Sequence, residues 1–249
     1  MKIALISDIH GNLPALEAVL DDIKKRTAAQ IICLGDIIGK GPSAKEAINI
    51  CRSECEIILQ GNWEHFFYAR IAEESQGKAD SLTDKELWYK NSISEQQWEY
   101  LDALPHSTEF YMSGNLVRIF HAHPKNFNRY HPDSPIEKRM ELFEYGDSSP
   151  IKSLADVAVY ADIHAAYMQI LGGRHLINVG SVGNPLDINQ ASYVILEGGE
   201  DKNSSFAVQF IRVRYDIEKT IAMAKEANVP DLDGYISELK TAKYFRRSN

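Results

Sequence analysis

Cysteine is scarce in this chain of 249 residues, which contains three, Cys33, Cys51 and Cys55, without a Cys-x-x-Cys spacing. An odd number of cysteines without that spacing argues against a disulfide framework and against a structural zinc site. Long apolar runs are also lacking, since none approaches the roughly 20 residues that a membrane-spanning helix needs. Met1 leads directly into a strand pattern, without the features of a signal peptide. We therefore expect a cytoplasmic protein that has no membrane partner.

Basic residues are too few for a nucleic-acid groove. Lys and Arg number 27 against 35 Asp and Glu, which gives a formal net charge of −8. A groove that follows a nucleic-acid backbone normally carries an excess of Lys and Arg, so we expect no nucleic-acid partner. A hydrophobic content of 44% with 25% charged residues is typical of a folded globular protein. The length fits a single α/β domain over residues 1–249.

Strand-length apolar runs and helix patterns alternate in the N-terminal third. Runs at 2–6, 31–34 and 56–59 indicate strands, and helix patterns follow the first two. The second helix is predicted to open with a capping box of Ser43 and Glu46. Strands that alternate with helices favour a parallel sheet, whose strands are buried on both faces and therefore read as continuous apolar runs.

The remaining two thirds contain further helices and strands. Two more capping boxes indicate a helical insertion over 66–106, and a loop-rich segment over 124–150 is expected to lie over a site. Strands are predicted at 116–120 and 157–160. Four later runs are expected to be strands of a second sheet: 168–171, 176–179, 193–196 and 206–213. Two helices, 216–227 and 231–243, are predicted in the C-terminal segment 216–249.

Residues that can bind metal ions follow the predicted strands one after another. Each alone has an ordinary alternative role, as a helix cap, an Asx turn or a structural histidine. Open α/β sheets, however, bind ligands where the carboxyl ends of their strands meet, so residues placed in this way converge on one crevice. The residues are Asp8 and His10, Asp36, Asn62, His121, and Asp162 with His164.

In this order the motifs resemble the signature of the calcineurin-like metallophosphoesterase family, over residues 2 to about 192. The segments GDIIGKGP and NVGSVGNP are similar to those of small bacterial members described as diadenosine-tetraphosphatase-like phosphodiesterases. The matching segments are DIHGN at 8–12, GDIIGKGP at 35–42, GNWEH at 61–65, HAHP at 121–124, ADIH at 161–164 and NVGSVGNP at 178–185.

The resemblance implies an α/β fold, a two-sheet αββα sandwich with a helical insertion, and a site that holds two metal ions. Mixed carboxylate, imidazole and amide ligands suit Mn²⁺, Fe or Zn²⁺. The Asp36 carboxylate would bridge the two ions. The ligands carried over are Asp8, His10, Asp36 and His164 for one ion, and Asp36, Asn62, His121 and Asp162 for the other.

The activity implied is hydrolysis of a phosphoester or phosphoanhydride, in a nucleotide such as a dinucleoside polyphosphate. Two cations bind phosphate oxygens and lower the pKa of a bridging water, so that hydroxide attacks in line. Asp36 and Asn62 are assigned to this catalytic centre, and Asn12 and Lys40 are expected to contact phosphate. The alternatives are a general phosphodiesterase, a protein phosphatase, or a scaffold on the same fold without catalysis.

Two positions depart from the family pattern. Asp162 stands in place of a histidine ligand, which adds a negative charge and should favour a harder cation. Trp63 stands in place of the histidine that protonates the leaving group, a role open to His65 or His123. We expect Trp63 either to stack on a substrate base or to pack under the helical insertion.

Overall fold

The computed structural model describes residues 1–147 and 149–245, and its strands form two sheets of five. The strands are β1 (Lys2–Ile6), β2 (Gln30–Cys33), β3 (Ile57–Ile58), β4 (Ser107–Met112), β5 (Asn115–Phe120), β6 (Val157–Tyr160), β7 (Ala166–Leu171), β8 (Arg174–Val179), β9 (Ala191–Glu197) and β10 (Ala207–Val213). The helices are α1 (Leu13–Lys25), α2 (Ala44–Glu54), α3 (Asn62–Ser75), α4 (Asp84–Asn91), α5 (Glu95–Asp102), α6 (Ile136–Glu141), α7 (Ile217–Glu226) and α8 (Leu232–Thr241).

The first sheet has the strand order β10-β9-β1-β2-β3, and the second has β4-β5-β6-β8-β7. In the first sheet, β1, β2 and β3 are parallel, and β9 runs antiparallel to β1. In the second, β5, β6 and β8 are parallel, and β4 and β7 pair with them in the antiparallel sense. The carboxyl ends of the parallel strands carry the residues that the sequence singled out.

The assignment of two strands to the second sheet was wrong. The runs 193–196 and 206–213 belong to β9 and β10 of the first sheet, where Lys2 of β1 lies opposite Glu197 of β9. A continuous apolar run shows that a strand is buried on both faces, but it carries no record of which strand lies beside it. Strand β4 was not predicted at all, and it forms the edge of the second sheet beside β5.

Apolar side chains fill three layers around the sheets. Between the sheets, Leu5 and Ile32 of the first sheet lie in one cluster with Ile119, Val159 and other residues of the second. The opposite face of the first sheet packs against α1 and α2. The outer face of the second sheet is covered by part of the segment 124–150, which contains α6 and so is not entirely loop. The two-sheet αββα sandwich that the resemblance implied is confirmed.

The helix caps agree in part with the sequence predictions. Thr83 and Ser94 cap α4 and α5 in complete capping boxes, as predicted. The box at Ser43 and Glu46 was wrong, because Ser43 makes no side-chain cap bond and has a ψ of 45° instead of the extended conformation that a cap needs. Of the predicted C-terminal segment, residues 246–249 lie outside the described part of the chain. Among the described residues, no helix combines the length and the apolar character required to cross a membrane.

Candidate metal centre

Five strand ends converge on one buried cluster. Asp8 follows β1, Asp36 follows β2, Asn62 follows β3, His121 follows β5 and Asp162 follows β6. His10 and His164 lie two residues beyond the first and last of these. Two groups of three have ligand atoms within 4.8 Å of one another, and all their members are buried: Asp8 with His10 and His164, and Asp8 with Asp36 and His121.

Backbone carbonyls orient all three imidazole rings. The Nδ1 atoms of His10, His121 and His164 lie 3.0, 3.0 and 2.6 Å from the carbonyl oxygens of Ile38, Leu34 and Asn184 respectively. A carbonyl oxygen can only accept, so each Nδ1 carries the proton and donates it. The three Nε2 atoms are then lone-pair donors, in the tautomer of an imidazole that binds a metal ion.

Electron-pair donors face one another at the first half of the cluster. The Nε2 atoms of His10 and His164 are 3.1 Å apart, and Asp8 Oδ1 lies 3.2 Å from the second of them. Asp8 Oδ1 is buried without a hydrogen-bond donor. Lone pairs placed so closely, with no donor between them, fit a cation as their common partner.

The second half of the cluster shares Asp36 with the first. Asp36 Oδ2 lies 3.7 Å from His10 Nε2, and Asp36 Oδ1 lies 3.5 Å from His121 Nε2. The side-chain oxygen of Asn62 also faces His121 Nε2, at 3.0 Å. With its amide turned, Asn62 would instead donate to both Asp36 oxygens at 3.0 and 2.8 Å; with the oxygen there, a shared cation would satisfy these acceptors. The residues therefore fit divalent metal ions.

The protonation of the metal-free cluster reflects its excess of carboxylates. Burial lowers the pKa of His121, but the neighbouring carboxylates, Asp36 before Asp8 and Asp162, together outweigh burial and raise that pKa to about 10. Burial also raises the pKa of Asp36 itself. Burial and the neighbouring His164 lower the pKa of His10 well below its usual range. The cluster thus attracts positive charge to the Asp36 half, where a proton occupies His121 in the absence of metal.

The loops that carry the candidate ligands have strained backbones. Five of the seven candidate ligands have a positive φ, of 51° at Asp8, 48° at His10, 51° at Asp36, 63° at Asp162 and 59° at His164. Such conformations cost on the order of 1–3 kcal/mol each and persist only where surrounding contacts impose them. Here the first two loops fix each other, because the backbone N–H groups of Asp8 and His10 donate to the carbonyls of Gly35 and Asp36.

Glu64 connects the second and third motifs, a role that the sequence reasoning missed. Its buried carboxylate accepts four backbone N–H groups, from Asp36, Ile37, Ile38 and Gly61, at 2.8–3.1 Å. Burial and the Asp36 charge raise the pKa of Glu64 to about 7, while the four donors favour its charged form. The signal available in the sequence was an acidic residue two positions after Asn62 that had no assigned role.

Close glycine contacts allow this connection. The backbones of Gly35 and Gly61 lie against each other, and a Cβ atom on Gly35 would come within 2.4 Å of the Gly61 nitrogen. Gly35 also has a φ of +108°, which side chains rarely allow. These two glycines bring the backbones before Asp36 and Asn62 into contact and so fix the distance between the two motifs.

Asp162 has a partner that the sequence reasoning did not foresee. Its Oδ2 and Oδ1 accept hydrogen bonds from Nε and Nη2 of Arg129, at 2.7 and 2.8 Å. Arg129 lies in the segment 124–150, where nothing in the sequence distinguishes it from other basic residues. The negative charge that Asp162 adds is therefore paired with a guanidinium.

Asn12 does not fit the predicted phosphate contact. Its side chain is fully buried, donates to the Gly183 carbonyl at 2.7 Å and accepts from the Ala15 N–H and the Thr220 hydroxyl. All its polar atoms are therefore used within the fold, where the residue caps α1 and holds the glycine-rich segment. A cap and a phosphate ligand draw on the same residue types, so the sequence could not separate them.

His65 and His123, the two candidates for a leaving-group acid, are both engaged in packing contacts. The His65 ring packs against Phe127, with ring centres 4.8 Å apart. His123 is buried, stacks on Tyr130, and its Nδ1 accepts the Lys125 N–H at 3.1 Å. Burial lowers the pKa of His123 to about 4. Neither residue lines the cavity that opens beside the metal centre.

That cavity has a volume of about 1120 Å³ and begins at Asp162 and His164. Trp63 is half-buried at its wall, edge-on to His10 and stacked on Phe67, with ring centres 5.5 and 5.3 Å apart. The indole packs on Phe67 and also faces the cavity, and base stacking stays a prediction. The residues from the rest of the chain that complete the wall include Lys40, Tyr89, Arg129, His131, Tyr235, Glu238 and Tyr244.

Comparison with known proteins agrees with this site. Residues 1–201 match the family model of the calcineurin-like phosphoesterase superfamily domain. The chain is 33% identical to the uncharacterized protein MJ0912 of Methanocaldococcus jannaschii, over 92% of this chain and 94% of that protein. It is 26% identical to the phosphodiesterase YfcE of Escherichia coli, over 79% of this chain and 88% of YfcE.

Solved structures show the same fold. A metallophosphoesterase from Sphaerobacter thermophilus superposes with a TM-score of 0.73 at 24% identity, covering 97% of this chain and all of that one. Protein PH1004 from Pyrococcus horikoshii superposes with a TM-score of 0.71 at 18% identity, covering 98% and 99%. A two-sheet sandwich with metal ligands at its strand ends defines a class of phosphoesterases that use divalent metal ions. The chain belongs to the calcineurin-like phosphoesterase superfamily.

Proposed function

We propose that the protein is a binuclear metal-dependent hydrolase of phosphoester or phosphoanhydride bonds in a small molecule, a nucleotide such as a dinucleoside polyphosphate. The observation that carries the proposal is the orientation of the three imidazoles. Each donates Nδ1–H to a backbone carbonyl and turns Nε2 toward the carboxylates of Asp8 and Asp36. Structural histidines rarely share such an arrangement at one buried point.

The proposed ligands are those that face the cluster. One ion would be held by Asp8, His10, Asp36 and His164, and the other by Asp36, Asn62 and His121, with Asp36 shared. Carboxylate, imidazole and amide donors suit Mn²⁺ or Fe, with Zn²⁺ as a further candidate. Two such ions supply Lewis acidity toward phosphate oxygens and a hydroxide nucleophile at neutral pH.

The protein's own residues hold this centre and shape the substrate site. Glu64 and the paired glycines fix the separation of Asp36 and Asn62. The cavity is large enough for a ligand of nucleotide size. Trp63 on its wall is proposed to stack on a base, and Lys40 lies on the same wall, ion-paired with Glu238 at 2.6 Å. Lys40 would need to leave Glu238 to reach a phosphate.

A diester substrate is the second candidate, favoured by the relative named as a phosphodiesterase. In a diadenosine polyphosphate and in a nucleotide diester, an organic group stands on each side of the phosphate. A monoester carries only one organic group. Comparing the specificity constants kcat/KM for these three classes would decide between the candidates.

The test is elemental analysis of the purified protein followed by assays before and after chelation. We expect up to two metal ions per chain, loss of phosphoester hydrolysis on chelation and its return with Mn²⁺. Asp21→Asn, which changes an exposed carboxyl group on α1, serves as the control. Hydrolysis that persists after complete metal removal would contradict the proposal. Metal binding without hydrolysis of any phosphoester would favour the scaffold alternative.

A further inference from the structure

The contact between Arg129 and Asp162 is a planar, two-bond ion pair at the mouth of the metal centre. Its distances of 2.7 and 2.8 Å are typical of charge-assisted hydrogen bonds. Asp162 is almost fully buried, whereas about half of the Arg129 side chain is exposed. Arg129 also lines the cavity beside His164. The buried Asp162 carboxylate therefore holds the Arg129 guanidinium in place at the wall of the cavity.

The backbone next to Arg129 is held on the second sheet. The Tyr160 hydroxyl, from the end of β6, donates to the Tyr130 carbonyl at 3.0 Å. The Tyr130 ring stacks on His123, with ring centres 5.3 Å apart, and its hydroxyl donates to Glu141 at 2.9 Å. The position of Arg129 thus follows from the sheet that carries His121 and Asp162, and does not depend on a free loop.

The guanidinium retains donors for a second anion. It has five N–H groups, and Asp162 takes one from Nε and one from Nη2. Among the described residues, Nη1 has no hydrogen-bond partner, and so the remaining edge of the fork is available to a ligand. Because an arginine fork matches the oxygens of a phosphate, the ligand that fits this edge is a phosphoryl group.

Asp162, in contrast, contacts the candidate ligands through its backbone, whose N–H donates to Asp8 Oδ2 at 3.3 Å. Neither set of residues with converging ligand atoms includes it, although His164, two residues later, belongs to one of them. Both its carboxylate oxygens are engaged by Arg129. A carboxylate that is neutralised by arginine is a weaker ligand for a cation than the free Asp8 and Asp36 carboxylates.

We propose that Arg129 binds a phosphoryl oxygen of the substrate and that Asp162 is the positioning residue that holds it, instead of a ligand of the second metal ion. This inference rests on the proposed function for the identity of the substrate. In the family pattern this position contributes an imidazole ligand. Here it would instead support a cationic group that binds the phosphate.

The experiment measures phosphate binding and metal content separately. Inorganic phosphate is titrated into the Mn²⁺-loaded protein, and metal content is measured by elemental analysis for Arg129→Ala, Arg129→Lys and Asp162→Asn. Arg174→Ala is the matched control, because Arg174 pairs with Asp156 at the opposite end of the second sheet. We expect about tenfold or greater weakening of phosphate binding for Arg129→Ala and Asp162→Asn, with unchanged metal content.

Further comparisons separate a positioning role from a general loss of structure. The double variant should bind phosphate no more weakly than Arg129→Ala, because both changes remove one interaction. Arg129→Lys should restore part of the affinity, since it keeps the charge and loses the fork. In substrate assays the loss should fall mainly on KM. Loss of one metal ion in Asp162→Asn, or unchanged phosphate binding in Arg129→Ala, would overturn the proposal. If the wild type binds phosphate through Arg129 but hydrolyses nothing, the proposed function fails and this inference stands.

Discussion

At the scale of single residues, backbone carbonyls determine how this centre can bind a cation. Each ligand imidazole gives its Nδ1 proton to a main-chain oxygen, so its ring orientation and its tautomer are set by the fold before any metal ion arrives. The carbonyls come from Ile38, Leu34 and Asn184, which lie in loops after β2 and β8. The loop after β2, which carries Asp36, therefore also orients His10 and His121 from other strands.

Replacing Asp36 should be more damaging than replacing Asn62. Asp36 is the carboxylate that lies near both His10 and His121, so Asp36→Asn should lower kcat/KM about 10³-fold or more and reduce the content of both metal ions. Asn62→Ala should remove one neutral donor and cause a smaller loss. Kinetics with elemental analysis measure both effects. If Asp36→Asn retains one of two ions at full occupancy, Asp36 does not bridge them.

Replacing Glu64 should destabilise the chain and weaken metal binding together. The Glu64 carboxylate accepts hydrogen bonds from four backbone N–H groups. In Glu64→Gln the amide NH₂ would face some of these donors, so we expect a loss of about 3 kcal/mol in the free energy of unfolding. Urea unfolding measures this loss. Glu86→Gln is the control, because Glu86 is also the third residue of its helix and sits in an exposed capping box. Equal small losses in both variants would show that Glu64 does not hold the two motifs together.

Replacing Trp63 tests base stacking in the cavity. Trp63→Ala should raise KM several-fold for a dinucleoside polyphosphate, since base stacking is worth about 1–3 kcal/mol. It should leave p-nitrophenyl phosphate, which has no base, nearly unaffected. Trp88→Ala removes a second partly buried indole that does not line the cavity and serves as the control. Equal losses on both substrates with a lower melting temperature would identify Trp63 as a packing residue only.

At the scale of elements, local signals were predicted well and long-range neighbours were not. The capping boxes of α4 and α5 were predicted because a cap is a contact between residues three apart. The position of β9 beside β1 was not predicted, because the two strands are about 190 residues apart in sequence and no local pattern indicates their pairing. The convergence of the candidate ligands could be predicted because motifs at strand ends recur in order along the chain. Arg129 was missed because its role depends on a fold contact with Asp162.

The helix caps give a prediction at this scale. Ser94→Ala removes the cap of α5 and should lower the free energy of unfolding by about 1 kcal/mol. Ser43→Ala, at the start of α2, should change it by less than about 0.5 kcal/mol, because Ser43 makes no side-chain cap bond. Urea unfolding of the two variants with equal metal content compares them. A larger loss for Ser43→Ala would show that its hydroxyl has a role that the cap geometry does not reveal.

At the scale of the whole molecule, folding and metal binding should be coupled. The buried carboxylates of Asp8 and Asp36 follow strands of the first sheet, and His121 and His164 follow strands of the second. A cation bound among them would therefore join parts of the chain that are far apart in sequence. A ligand at 100 times its dissociation constant stabilises the native state by about 2.7 kcal/mol. The melting temperature should therefore fall on chelation and recover with Mn²⁺. The shift should be much smaller in Asp36→Asn, and an equal shift there would place the stabilising ion elsewhere.

The pairing of β1 with β9 also has a consequence for the time course of synthesis. Lys2 of β1 pairs with Glu197, so one edge of the central strand has no neighbour until the ribosome has added about 190 further residues. At about 5–20 residues per second, that interval lasts roughly 10–40 seconds. The nascent strand must remain unaggregated throughout it, and the loop that carries Asp8 and His10 gains its final support only at the end.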